Sequence, residues 1–268
     1  MTAYATPQPH ADDDRVDAPH ALVKTGLSLI VPMYNEAACA APLAAALMRL
    51  DARLCERFDL EFLLVDDGSS DDTVTLLESA IGERPRYVVL RHAANRGIAA
   101  AIDTGIRAAT HEIVASIDCD GSYDLAELEP MVQKLVAGVD MVTASPYHPA
   151  GGVDNVPPWR LRISRLATSM YSAAMARPFT CYTSCFRVYR RSAVVDLPTT
   201  RPGFVGVAEL MCRLLQAGGV VVEHPARLRS RVAGHSKMRV ARASRQHLQL
   251  IAAMFAARVR SANRGARP

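Results

Sequence analysis

The sequence predicts an α/β fold in which a mostly parallel central sheet carries helices on both faces. Between residues 27 and 144, short apolar runs alternate with longer amphipathic stretches, which is the pattern of repeated strand–helix units. The short runs are apolar almost throughout, as in parallel strands that are buried on both faces. A chain of 268 residues that is 50% hydrophobic is long enough to bury the core of one such domain.

The predicted elements follow one another in a regular order through the first half of the chain. Strands are predicted at residues 27–31 (ending at Pro32), 62–65, 87–90, 113–117 and 141–144. The helices between them are predicted at residues 37–50, 70–80 (with Ser70 as the N-cap), 97–109 and 125–138. The second half is less regular and gives a helix at 160–176, strands at 186–189 and 220–223, and a final helix at 244–259.

Polar residues collect where three of the predicted strands end. They form the segments PMYNE at 32–36, DDGS at 66–69 and DCD at 118–120. Because such sheets bind ligands outside the carboxyl ends of their strands, we expect these segments to share one site. Asp118 and Asp120 can both reach one hard cation, since Mg²⁺ takes one or two carboxylates together with substrate phosphates. The alternatives are a solvated acidic turn at 118–120 and a helix-capping turn at 66–69.

Several enzyme classes lack their main sequence support. The first predicted strand is not followed by GxGxxG, the signature of nicotinamide and flavin Rossmann enzymes. The sequence contains neither the GxxxxGK[ST] loop of nucleotide-hydrolysing enzymes nor the GxSxG elbow of serine hydrolases. The six cysteines form no CxxC pair, so we expect buried thiols in a reduced protein rather than a zinc site or a disulfide frame.

The charge is divided unevenly along the chain. Eleven Lys/Arg and no Asp/Glu lie between His224 and Pro268, although the net charge of the whole chain is only +4. A basic end of this kind calls for an anionic partner. An anionic membrane face or a phosphate-bearing substrate suits it better than nucleic acid, because no nucleic-acid-binding module accompanies the arginines.

Residues 1–24 are polar and acidic and contain proline, so we expect a disordered segment. They lack the positive start and apolar centre of a secretion signal. The longest alanine-rich run is shorter than the about 20 residues of a membrane span. The expected localisation is therefore cytoplasmic, with peripheral attachment to the inner face of the membrane through the basic end.

Taken together, these motifs resemble those of family 2 glycosyltransferases, most closely the polyprenyl-phosphate branch that is similar to dolichol-phosphate mannose synthase. The resemblance extends from Leu27 to Met238. The segments that carry it are IVPMYNE at 30–36, VDDGSSDDT at 65–73, NRG at 95–97, DCDGS at 118–122, the double glycine at 151–152, Arg160 with Ser164, FRVYRR at 186–191 and RVAGHSK at 231–237. The last three segments narrow the resemblance to this branch.

The resemblance implies a GT-A type nucleotide-sugar-binding fold. The glycosyltransferase domain would cover residues 25–240, with a nucleotide half at 25–120 and an acceptor half at 121–240. Residues 241–268 would then form a C-terminal amphipathic helix and a basic tail.

The resemblance also implies roles for individual residues. The nucleotide sugar would contact Pro32, Tyr34, Glu36, Asp67, Asn95 and Asp118. Mg²⁺ or Mn²⁺ would be held by Asp118, Asp120 and Ser122, the acceptor phosphate by Arg160, Ser164, Arg187 and Ser236. Asp120, Arg231 and Lys237 would be catalytic, and Glu209 lies where enzymes with hydroxyl acceptors carry their base.

Three positions depart from the family's pattern. Pro146 replaces the arginine of the usual Ser-Arg-Tyr, and Arg162 or Arg187 would have to supply the missing charge. Ser122 stands where the third metal-site residue is often Gln. Cys185 replaces a glycine, and a cysteine adopts a positive φ only at a cost.

The implied reaction is the transfer of a hexose from GDP-mannose or a UDP-sugar to a polyprenyl phosphate, by a single inverting displacement. An acceptor phosphate is ionised at neutral pH, because its second pKa is about 6, so it needs cations rather than a general base. Two alternatives stay open: a hydroxyl acceptor on a lipid or small molecule, and a nucleotide-sugar-binding protein without catalysis. The sequence does not separate guanine from uracil, and a homodimer remains an open alternative.

Overall fold

The computed structural model describes residues 24–230 and 240–265, and every structural statement below concerns these residues. The disorder predicted for the N-terminal segment lies outside the described residues, apart from Lys24. Arg231, Ser236 and Lys237, for which catalytic or phosphate-binding roles were predicted, also lie outside the described residues.

The strands include the seven that were predicted, most of them longer than the apolar runs that identified them, together with two short strands that were not predicted. They are β1 (Thr25–Met33), β2 (Phe58–Asp66), β3 (Tyr87–Arg91), β4 (Ile113–Ser116), β5 (Met141–Ser145), β6 (Gly152–Val153), β7 (Arg187–Arg190), β8 (Val221–Pro225) and β9 (Arg227–Leu228). The helices are α1 (Ala40–Leu54), α2 (Thr73–Ile81), α3 (Ile98–Ala108), α4 (Leu128–Lys134), α5 (Pro158–Met175), α6 (Arg191–Val194), α7 (Gly203–Gln216) and α8 (Val240–Gly265).

Seven of these strands form one sheet in the order β3-β2-β1-β4-β7-β5-β8. The pairs β1–β2, β1–β4, β2–β3 and β5–β8 are parallel, and β7 is antiparallel to both of its neighbours, β4 and β5. The predicted mostly parallel sheet is therefore confirmed. β6 and β9 form a separate parallel pair.

Apolar side chains project from both faces of the sheet, as expected for parallel strands that are covered by helices on both sides. In β1, Leu29 belongs to a core with α1, α2 and α4, whereas its neighbour Ile30 belongs to a second core with α3, α5, α7 and α8. The helices are thereby fixed on both faces, and the carboxyl ends of the strands are left open for a ligand.

Two local predictions were wrong. Asp72 rather than Ser70 precedes α2 as its N-cap, and the Asp71 carboxylate accepts a hydrogen bond from the Thr73 amide at 3.1 Å. Helix α7 was not predicted. Residues 205–212 are buried without interruption in it, so its sequence lacks the alternation of apolar and polar faces that marks a surface helix.

No helix within the described ranges combines the length and the apolar character that crossing a bilayer requires.

Candidate active site

A cleft of about 850 Å³ lies at the carboxyl ends of the strands. It brings together nine of the residues predicted from the sequence: Pro32, Tyr34, Glu36, Asp67, Asn95, Asp118, Asp120, Ser122 and Ser164. The polar segments after β1, β2 and β4 thus share one site.

The loop after β1 is held by the loop after β2. Asn35 has a φ of 51°, and its amide donates to the Ser69 hydroxyl at 2.8 Å. In return, the Ser70 amide donates to the Asn35 side-chain oxygen at 2.7 Å. The Glu36 amide donates to the Thr73 hydroxyl at 2.8 Å, so Glu36 has a fixed backbone at the edge of the cleft.

Asp67 is a buried carboxylate that organises the next loop. It accepts hydrogen bonds from the backbone amides of Arg96, at 2.9 Å, and Gly97, at 2.7 Å. One of its oxygens lies 2.7 Å from His92 Nδ1. Because a carboxylate can accept about four hydrogen bonds, Asp67 can hold this loop and still face a ligand. Asn95, which lines the cleft, is carried by the same loop.

Asp118 and Asp120 follow β4 and give this part of the cleft a negative charge. The Asp120 side chain is buried, and its Oδ1 accepts a hydrogen bond from the Ser122 amide at 2.9 Å. Burial, and then the charge of the nearby Asp118 carboxylate, hold the pKa of the Cys185 thiol well above its ordinary value. Burial, and then the charges of Glu36, Asp118 and Asp120, hold the pKa of the Cys119 thiol well above its ordinary value.

The donor set of this acidic loop fits a hard divalent cation bound together with a phosphorylated ligand. The described part of the chain contains no group of three or more His, Cys, Asp or Glu side chains that could enclose a metal ion. A pair of carboxylates is nevertheless what Mg²⁺ takes when substrate phosphates and water complete its coordination. Ser122 supports the pair through its backbone amide on Asp120.

Another part of the cleft wall is largely apolar and is formed in part by α5. Apolar residues that line it are Val156, Trp159, Ile163, Ala167, Phe204 and Leu228. Ser164 lies among them, and Tyr147 lines the same cleft. The Arg165 guanidinium lies 5.7 Å from the centre of the Tyr147 ring. Arg160 belongs to the first turn of α5, and its side chain is outside the described set.

The acceptor-phosphate role predicted for Arg187 is corrected by its position. Arg187 is fully buried at the start of β7 and does not line the cleft. Its guanidinium donates to the carbonyl oxygens of Val207, at 2.6 Å, and Tyr182, at 2.7 Å. Arg187 is therefore a core residue. The other proposed replacement for the missing arginine, Arg162, is exposed on α5 and is likewise not part of the cleft wall.

Glu209, the candidate base, does not line the cleft either. It is buried in α7, and its carboxylate accepts hydrogen bonds from the Thr200 amide at 2.8 Å and the Arg201 amide at 2.9 Å. Arg213 pairs with the same carboxylate at 3.1 Å. The role of a base in contact with substrate is therefore corrected: Glu209 fixes the loop that leads into the cleft at residues 202–205.

Two parts of the cleft wall were not foreseen from the sequence. One is the start of α7, where a side chain at Gly97 would come within 2.8 Å of the Gly203 amide nitrogen. The other is the beginning of α8, which contributes Ala243, Ser244, Gln246 and His247. The start of α7 could have been found from the Pro202-Gly203 turn before an apolar stretch. The beginning of α8 has no local sequence signal, because its place in the wall depends on how α8 packs.

Comparison with known proteins identifies the family of this chain. The sequence model described as Glycosyl transferase family 2 matches residues 28–197. The polyprenol monophosphomannose synthase of Mycolicibacterium smegmatis is 31% identical over 218 residues, which cover 78% of this chain and 80% of that protein. The undecaprenyl-phosphate mannosyltransferase of Micrococcus luteus is 30% identical over 216 residues, covering 78% and 86% of the two chains.

The fold is also shared with a solved enzyme. The structure of glucosyl-3-phosphoglycerate synthase from Mycobacterium tuberculosis, in complex with Mn²⁺, UDP-glucose and phosphoglyceric acid, matches with a TM-score of 0.66. The match covers 87% of this chain and 80% of that one at 18% identity, so it bears on the fold alone. It confirms the predicted GT-A type fold. With the family match over most of the sheet, these findings show that the chain is a glycosyltransferase and belongs to glycosyl transferase family 2.

Proposed function

We propose that the protein transfers a hexose from a nucleoside-diphosphate sugar to a polyprenyl phosphate, with inversion at the anomeric carbon. The observation that carries this proposal is the composition of the cleft: Asp118 and Asp120 line one part, and apolar residues such as Trp159 and Ile163 line another. Such a cleft suits a reaction between a charged nucleotide and a lipid phosphate. The sequence relatives named for polyprenol and undecaprenyl-phosphate mannose transfer support the same acceptor class.

The donor is assigned to the side built by the loops after β1, β2 and β4. Tyr34, Glu36 and Asn95 line the cleft together with Asp67 and are assigned to the nucleoside. Asp118 and Asp120 would hold Mg²⁺ or Mn²⁺ together with the diphosphate. A divalent cation held there would supply Lewis-acid stabilisation of the departing nucleoside diphosphate, typically by several kcal/mol.

The acceptor is assigned to the side of α5. Its phosphate is ionised at neutral pH and attacks without help from a general base. Ser164 and Tyr147 offer hydroxyl groups there, and Arg160 is the arginine assigned to the phosphate by the family pattern. Arg231, Ser236 and Lys237 remain assigned to catalysis and to the acceptor phosphate by the same pattern.

The experiment that tests this function is a transfer assay with a short polyprenyl phosphate and a panel of GDP- and UDP-sugars, with Mg²⁺ or Mn²⁺. We expect transfer with one donor and its loss in chelator. Metal-dependent hydrolysis of the donor without transfer to the lipid phosphate would keep the glycosyltransferase and reject this acceptor.

Replacing Glu209 by glutamine tests the alternative of a hydroxyl acceptor. We expect the variant to lose about 1–3 kcal/mol of unfolding free energy, because one amide cannot replace all the hydrogen bonds of the buried carboxylate. Transfer to a phosphate acceptor should continue, since Glu209 is not in the cleft wall. Turnover and urea unfolding would be measured on the same preparation.

Glu223→Gln is the matched control for this variant. The Glu223 carboxylate also accepts hydrogen bonds from two backbone amides, those of Thr180 at 2.8 Å and Cys181 at 3.0 Å, in a loop that reaches the cleft. Complete loss of turnover in Glu209→Gln, with activity retained in an equally destabilised Glu223→Gln, would favour the hydroxyl acceptor.

We further propose that the protein works at an anionic membrane surface. Large apolar side chains are exposed along α5 (Trp159, Ile163, Leu166) and along α8 (Leu248, Phe255, Val259), two helices that pack together. These helices contain eight arginines and no acidic residue. Apolar side chains beside arginines suit the headgroup region of an anionic bilayer.

A double substitution, Leu166→Asp with Phe255→Asp, is expected to weaken binding to vesicles that contain anionic lipid by at least about tenfold. Each exposed apolar side chain that enters the bilayer contributes about 1.5–3 kcal/mol. Co-sedimentation with vesicles measures the change. Val136→Asp is the control, because Val136 is exposed to a similar degree, 59% against 63% for Leu166, and follows α4. Equal vesicle binding by all three proteins would contradict the assignment of this surface.

A further inference from the structure

Helix α8 forms a wall of the cleft although it lies beyond residues 28–197, which the family model matches. Leu250, Ile251 and Met254 are buried in the core that α8 shares with α5 and α7. This packing turns residues 243–247, near the start of the helix, toward the same cleft as Ser164 of α5. The C-terminal helix is thus part of the site rather than an appendage to it.

His247 is the titratable side chain that α8 contributes to the cleft wall, and it is held from behind by Tyr171. The Tyr171 hydroxyl lies 2.7 Å from His247 Nδ1. Tyr171 is itself fully buried, with its ring stacked on that of Tyr182 at 5.2 Å between centroids. The His247 ring packs edge-on against the Tyr171 ring, with 5.8 Å between the two ring centroids. The imidazole therefore has a fixed position.

The direction of this hydrogen bond follows from the buried hydroxyl. Burial raises the pKa of Tyr171 far above its ordinary value, so the phenol keeps its proton. Burial lowers the pKa of His247, so the imidazole is neutral at pH 7. Within the described residues the Tyr171 hydroxyl has no acceptor other than Nδ1, and a buried donor left without an acceptor is costly. The phenol therefore donates to Nδ1, and the imidazole proton is on Nε2.

Cationic side chains are scarce among the described residues that line the cleft. Arg96, next to Asn95 on the donor side, is the cationic residue among the described residues that line the cleft. Pro146 occupies the position of an arginine in the family pattern, and neither Arg162 nor Arg187 lines the cleft. In the described ranges, no group is hydrogen-bonded to His247 Nε2, which leaves that N–H for a ligand.

We propose that His247 is a binding residue for the acceptor and that its Nε2–H donates a hydrogen bond to the phosphate of the polyprenyl phosphate. This inference rests on the proposed function and assigns part of its acceptor site to α8. Tyr171 is then a positioning residue, because it acts on the ligand only through the imidazole. A hydrogen bond to an ionised phosphate is stronger than one between neutral groups, which makes a single neutral donor effective here.

Binding is measured without turnover through Trp159, which is the single tryptophan of the chain and lines the cleft. Its fluorescence is followed while geranyl phosphate, and separately geraniol, is added to the full chain. The two probes share the apolar part and differ in the phosphate. We expect His247→Ala to weaken binding of geranyl phosphate by about tenfold and to leave binding of geraniol unchanged.

Two further variants separate this role from a structural one. His247→Gln keeps an N–H donor of similar reach and is expected to bind geranyl phosphate within about threefold of the wild-type protein. Gln249→Ala removes an exposed side chain from the same helix and should bind as the wild type does. Circular dichroism and thermal unfolding show whether each variant is folded.

Equal binding of geranyl phosphate by folded His247→Ala and wild type would overturn the inference and leave the proposed function standing. An equal loss for geraniol and geranyl phosphate would also overturn it, because the imidazole would then act on the apolar part. If wild-type protein bound geranyl phosphate no better than geraniol, the lipid-phosphate acceptor and this role of His247 would both be rejected.

Discussion

Replacing Asp120 by asparagine is expected to lower kcat for sugar transfer at least about a thousandfold while the fold stays intact. The asparagine oxygen can still accept the hydrogen bond from the Ser122 amide that Asp120 Oδ1 accepts at 2.9 Å. The negative charge is lost, however, and with it, under the proposed function, the cation that would stabilise the leaving nucleoside diphosphate. A loss of about 4 kcal/mol of transition-state stabilisation corresponds to that factor in rate.

The measurement is steady-state transfer with saturating donor and metal, with circular dichroism as the check on folding. Asp124→Asn is the matched control, because Asp124 lies in the same loop and its carboxylate caps a short 3-10 turn by accepting from the Ala126 amide at 2.9 Å. Asparagine is also a good cap, so this control should keep its activity within about threefold. An Asp120→Asn enzyme that retained a tenth of the wild-type rate would argue against the assigned metal site.

Replacing Arg187 by alanine is expected to have the largest effect on stability, a loss of about 3–5 kcal/mol of unfolding free energy. The variant leaves a cavity under β7 and removes the donors of the Val207 and Tyr182 carbonyl oxygens. Among the described residues the acceptors of the Arg187 guanidinium are neutral: the oxygens of Thr143, Val207 and Tyr182 and the sulfur of Met211. Urea unfolding at 25 °C measures the difference.

Arg162→Ala is the control for this variant, because Arg162 is exposed on α5 and should change the free energy of unfolding by no more than about 0.5 kcal/mol. A loss below 1 kcal/mol in Arg187→Ala would show that the buried guanidinium contributes little to the core. A folded Arg187→Lys variant whose KM for acceptor rose while its stability was unchanged would restore the phosphate-binding role that its position rejects.

The sequence predicted the strands and the location of the site because both follow from simple regularities. Apolar runs such as FLLV at 62–65 identify buried strands, and parallel strands bring their carboxyl ends to one edge. The proximity of residues 32–36, 66–69 and 118–120 could therefore be predicted without knowing the rest of the fold. Some strands extend beyond their apolar runs: β2 begins at Phe58, in a stretch that alternates polar and apolar residues.

What the sequence did not predict depends on long-range packing. Arg187 and Arg191 belong to one motif, yet β7 is a central strand in which Arg187 pairs with Ser116 of β4 and Thr143 of β5. A central strand buries the side chains on both faces, and no local pattern indicates that an arginine is among them. Glu209 was misassigned for the same reason, since it lies in a helix that is buried on nearly all sides.

The place of β7 in the sheet also affects how the chain can fold as it is made. β4 and β5 are joined only through β7 among the described strands, and β7 is made more than forty residues after β5 ends at Ser145. A nascent chain that stops before Arg187 therefore leaves β4 as an open edge, directly before the acidic loop at 118–120. Unpaired edges of this kind are templates for wrong pairing, and contacts between distant segments form slowly. Translation speed around residues 187–190 is thus a variable that can decide between soluble and aggregated protein.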